Sequence, residues 1–164
     1  MRPALAALLG LVALVLSGAA QAPAPVRMEV VLADAPAPRL SDYGLFQDAA
    51  ARRPSPGVTP YDLNTPLFSD YAAKHRYVFT PDGQSATYHS DGPLEFPVGT
   101  VLVKTFAFAP DMRTPQVGER HVETRLLIRK ADGWTALAYV WNADQTEAIL
   151  KRTGARLDVA FIDP

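Results

Sequence analysis

The amino-acid sequence predicts a mainly β protein, an antiparallel β-sandwich or partly open barrel with one or two short helices near its N-terminus. Apolar and polar residues alternate with a period of two through most of the second half of the chain. Fifteen Pro and 10 Gly in 164 residues punctuate the chain too often for long helices. No stretch of helical periodicity separates the alternating runs.

The first element is a signal for export. Arg2 precedes an apolar run from Ala4 to Leu16, and the small-residue stretch Ser17 to Ala22 follows. Residues 1–20 are therefore expected to be a signal peptide, with cleavage possible as far as residue 22. The apolar run is shorter than the roughly 20 residues a membrane-spanning helix needs. The chain is thus expected to be periplasmic or secreted, with no membrane attachment after cleavage.

Residues 23–39 form a Pro- and Ala-rich leader, either a tether or a tether holding one edge strand at Met28–Leu32. Residues 40–164 are expected to be a single β-rich domain. A short helix capped at Ser41 ends near Arg53, before Pro54 and Pro56. A turn-punctuated loop over 57–66 leads to a brief helix capped by Ser69 and Asp70 and running through His75.

Strands follow at Arg76–Thr80 and Ser85–His89, joined as a hairpin through Pro81-Asp82-Gly83. Thr100–Phe108 is apolar on both faces and so central. In Glu119–Lys130, Val122, Thr124, Leu126 and Ile128 point inward while His121, Glu123, Arg125 and Arg129 point outward. Asp132-Gly133 turns the chain into Trp134–Trp141. The tail reads as a closing hairpin, with a helix over 144–152 as the rival.

Composition closes several functional classes. Sixteen basic and 17 acidic side chains leave no basic footprint for nucleic acid. The absence of Cys removes thiolate ligands, a Cys nucleophile and the C-x-x-C-H haem attachment. No G-x-S-x-G or phosphate-binding glycine loop occurs. His75, His89 and His121 have no metal-ligand spacing, so no metal site is expected unless the fold gathers them.

Two constellations remain. Lys104, His121, Glu123, Arg125 and Asn142 form a candidate polar site, because His121, Glu123 and Arg125 at alternate positions share a strand face and combine a base, an acid and a fixed cation. The stronger reading of the same row is a solvated face with cross-strand ion pairs, as alternating charges on an antiparallel strand ordinarily are, and Lys104 needs an acidic partner such as Glu123 if buried. Tyr139 and Trp141 are candidate docking or sugar-stacking aromatics, provided both rings are exposed. No catalytic residue is identified.

Four segments carry a resemblance: Pro60-Tyr61-Asp62-Leu63-Asn64-Thr65-Pro66-Leu67-Phe68-Ser69-Asp70-Tyr71-Ala72, the run from Phe96 to Phe106, Glu123 to Ile128, and Tyr139 to Ala148. They resemble a poorly characterised family of exported bacterial proteins in which such a domain precedes a c-type cytochrome region. The resemblance implies a haem c only in a segment following Pro164 and no cofactor within this chain. It also implies a role in scaffolding or docking a c-type cytochrome or another periplasmic redox protein. The alternative is an enzyme or a small-ligand or carbohydrate-binding domain that uses the polar strand face.

Overall fold

A computed structural model describes residues 25–163. The expected signal peptide and the first residues of the leader lie outside them. Among the described residues the protein is mainly β, with two antiparallel sheets and no closed barrel, as the alternation predicts.

The order along the chain is α1 (Met28–Val31), a 3-10 turn (Leu40–Tyr43), β1 (Phe46–Asp48), β2 (Arg53–Pro54), β3 (Val58–Tyr61), β4 (Ala73–Phe79), β5 (Val101–Phe108), β6 (Arg120–Lys130), β7 (Gly133–Trp141) and β8 (Ala148–Leu150). Strands β3 to β8 form a six-stranded meander in sequence order, so each strand pairs with its immediate successor. β1 and β2 make a separate small hairpin.

The central strand is β5, whose burial alternates along its whole length. Val101 and Val103 point into the core with Tyr77 and Phe79 of β4 and Leu126 and Ile128 of β6. That face is covered by the N-terminal segment, which contributes Val26, Val31, Leu40, Tyr43 and Leu45. The Tyr139 hydroxyl joins the two layers by donating to the Ala37 carbonyl at 2.9 Å and bonding the Tyr43 hydroxyl at 2.8 Å. The segment also hydrogen-bonds the sheet edge, since the Leu150 amide donates to the Pro38 carbonyl.

Several local expectations are corrected. Met28–Val31 is one helical turn rather than a strand or plain tether, because it delivers fully buried Val31 to the sheet. The helix expected over 41–53 is only the 3-10 turn plus the β1–β2 hairpin. Gly44 ends the turn at φ 69°, and a Cβ there would stand 2.7 Å from the Pro25 carbonyl oxygen. The brief helix ending at His75 is replaced by β4, since Asp70 and Tyr71 both take positive φ.

Ser85–His89 contributes only a Thr87–Glu95 bridge, and β4 pairs with β3 and β5. The tail is strand only at β8, with neither a helix over 144–152 nor a second closing strand.

Candidate functional site

The candidate polar row does not stay on one face. On β6, Glu123 pairs with Phe106 and His121 with Ala107, which leaves Val122 as one extra residue in a β-bulge. The bulge turns His121 into the buried layer beside Thr124, while Glu123 and Arg125 keep the opposite face. This overturns the outward placement of His121. Gln145 stabilises the bulge by accepting from the His121 amide at 2.6 Å and donating to the His121 carbonyl at 3.0 Å.

The outer face keeps Lys104, Glu123 and Arg125 together in a groove of about 810 Å³. Arg76, Lys104 and Arg125 are direct cross-strand neighbours, which sets three cations side by side. Glu123 pairs with Arg125 rather than with Lys104, correcting the expected partner. The Lys104 ammonium instead lies 4.7 Å from the centre of the Phe106 ring, and the Arg125 guanidinium lies 4.9 Å from it. Partial burial pushes the Lys104 pKa down, and Arg76, Lys74 and Arg125 push the same way.

Asn142 stands apart from that groove. Its side chain organises the β7–β8 turn, accepting from the Thr146 amide at 2.9 Å and donating to the Thr146 hydroxyl. Tyr139 and Trp141 are both buried, which removes the exposed aromatic platform. The Trp141 indole donates to the Thr124 hydroxyl at 3.0 Å, and that hydroxyl bonds Thr105 at 2.8 Å.

A different group of residues converges at the β4–β6 end of the inner layer. His75 reaches there from β4, and Glu119 arrives from the residue immediately before β6. His75 Nε2 lies 2.9 Å from Glu119 Oε2, and the Arg52 guanidinium sits 2.9 Å from that same oxygen. The His75 and His121 rings are 6.1 Å apart between centres, with Trp141 edge-on to His121 at 4.8 Å.

His121 is 6% exposed, and its Nδ1 is buried without a hydrogen-bond partner. Burial, reinforced by His75, holds the His121 pKa down at about 4; Glu119 opposes this and Arg52 adds to it. Its imidazole is thus neutral near neutral pH.

The chain matches no family profile, no curated protein and no solved structure. The site is therefore read from its own chemistry. Two imidazoles and one carboxylate suit a divalent transition metal, whereas the outer groove suits an anionic partner.

Sequence spacing missed the inner group for identifiable reasons. His75 and His121 are 46 positions apart and meet only through β5. Glu119 carries no local signal. His121 faces inward only because of the bulge at Val122, which nothing in the alternation announces.

Proposed function

We propose that the chain is an exported, non-catalytic β-domain that works in the periplasm or outside the cell as a docking partner of a c-type cytochrome. One observation supports this best: the outer face of the meander presents exposed Tyr61, Leu127, Trp134 and Ile149 together with the cations Lys104 and Arg125, beside a buried Arg76 that is held by Asp62. Large apolar side chains left in solvent on one face, with Arg and aromatic residues among them, are features of a protein-binding surface. The cations select a partner with an acidic surface and speed its encounter. The resemblance to domains preceding cytochrome regions supplies the redox context.

The test is a titration of the isotope-labelled mature chain with a soluble c-type cytochrome domain, followed by amide chemical shifts. Saturable shifts confined to the outer face are expected. They weaken with salt and with Lys104→Glu, as screened charge pairs require. Shifts restricted to the inner layer, or the absence of any saturable response, would overturn the reading. Export is checked separately: N-terminal sequencing of protein from the exported fraction should begin at Gln21, or no later than Pro23.

A second reading has its own supporting observation. Arg76 and Arg125 are already paired with Asp62 and Glu123, whereas Lys104 between them has no carboxylate partner among the described residues, so a small carboxylate or phosphate ligand at Lys104 is the alternative. Calorimetry with free phosphate and citrate separates the two: saturable uptake, lost in Arg125→Gln, favours the small ligand.

A further inference from the structure

The inner cluster lies on the opposite layer from the docking face and makes no part of that proposal. His75, Glu119 and His121 each offer one ligand atom, and these atoms lie within 4.8 Å of one another. A tetrahedral ion with bonds of about 2.0–2.1 Å places its ligand atoms roughly 3.4 Å apart. The His75 and Glu119 atoms are at 2.9 Å and no pair of the three exceeds 4.8 Å, so side-chain rotations that open the first pair and draw in His121 bring them to that spacing.

Two further features distinguish this group from an ordinary ion pair. His121 brings a buried nitrogen, Nδ1, without a partner, and an unpaired buried polar atom costs roughly 1–3 kcal/mol. A metal bond made at Nδ1 itself would give that nitrogen its missing partner. Arg52 reaches in from a turn where its own φ is 56°, and one guanidinium nitrogen contacts both Glu119 and His75. A cation therefore already sits against two of the three prospective ligands. Its side chain is 44% exposed, which leaves it free to swing into solvent.

We propose that His75, Glu119 and His121 bind one divalent transition metal of the zinc or copper(II) class, with Arg52 as the cation that the ion displaces. Two nitrogens and one oxygen match the borderline hardness of those ions and exclude a magnesium or calcium site, which requires oxygen ligands throughout. Three protein ligands leave a fourth position on the side that Arg52 vacates. Water or an external anion completes the coordination there.

The test uses the untagged mature chain, stripped with a chelator, dialysed, and titrated with zinc chloride by calorimetry and with cobalt(II) by visible absorption. One equivalent per chain and a four-coordinate cobalt spectrum are expected. His75→Ala and Glu119→Gln each weaken zinc binding by roughly 100-fold or more, at least the upper range seen when only a supporting group is lost. Arg52→Gln tightens it several-fold, because the competing cation is gone. His89→Ala, remote from the cluster, leaves it unchanged.

Circular dichroism and thermal melts of each metal-free variant establish that it folds. No saturable uptake by the folded chain would overturn the site. So would uptake that survives both His75→Ala and Glu119→Gln, and so would weaker binding in Arg52→Gln, which would make Arg52 a supporting residue rather than a competitor.

Discussion

Thr124 carries more of the inner layer than its size suggests. It is fully buried, and its hydroxyl accepts from the Trp141 indole while also bonding Thr105. Replacing it with isosteric Val strands two buried polar groups, each worth roughly 1–3 kcal/mol when unpaired. Thr105→Val breaks only the outer link and leaves the Trp141 bond intact. Urea denaturation should therefore show Thr124→Val losing roughly 2 kcal/mol or more, and Thr105→Val clearly less. Equal losses would mean that Thr124 does not hold the indole.

At the scale of elements, the bulge in β6 decides which chemistry the protein possesses. It moves His121 from the row of Glu123 and Arg125 into the layer of Thr124, and Gln145 bonds the His121 amide and carbonyl beyond Glu123, where the β6–β7 ladder ends. Gln145→Ala keeps the positive φ of that position but withdraws both side-chain hydrogen bonds. Hydrogen exchange at the His121 amide should accelerate strongly in this variant, while the Leu126 and Ile128 amides stay protected. Uniform loss of protection across β6 would show that the bulge does not open as a local unit.

The sequence announces regular strands well and such irregularities poorly. Val101–Phe108 is legible because alternation is a local property of consecutive side chains, and its prediction as a central strand agrees with its place between β4 and β6. Met28–Val31 is not legible, because one turn of helix has little stability of its own and persists by burying Val31 under the sheet. Asp70 and Tyr71 hide in the same way: positive φ in non-glycine residues comes from the surrounding fold, not from the residue type. Of the candidate polar site, Lys104, Glu123 and Arg125 were readable as one face, whereas the meeting of His75 with His121 required the strand order and the bulge together.

Over the whole molecule, the two faces of one meander have different fates. The N-terminal segment covers the inner face and shares a core with it, whereas the outer face keeps large apolar side chains in solvent. Leu126 and Leu127 are consecutive on β6 and separate these roles: Leu126 is fully buried, and Leu127 is 41% exposed. Leu126→Ala removes core packing that the surrounding strands cannot fully collapse to replace, at a cost of roughly 2–5 kcal/mol. Leu127→Ser removes only half-exposed area, and its stability change should stay within about 1 kcal/mol. If the outer face is a docking surface, the ranking reverses in a binding experiment: Leu127→Ser lowers affinity for the cytochrome partner, while any Leu126→Ala protein that remains folded binds as well as the parent. Paired denaturation and binding titrations on the two variants check both halves. A Leu127→Ser chain as destabilised as Leu126→Ala would mean that the outer face is packed like a core, and the docking proposal would lose its surface.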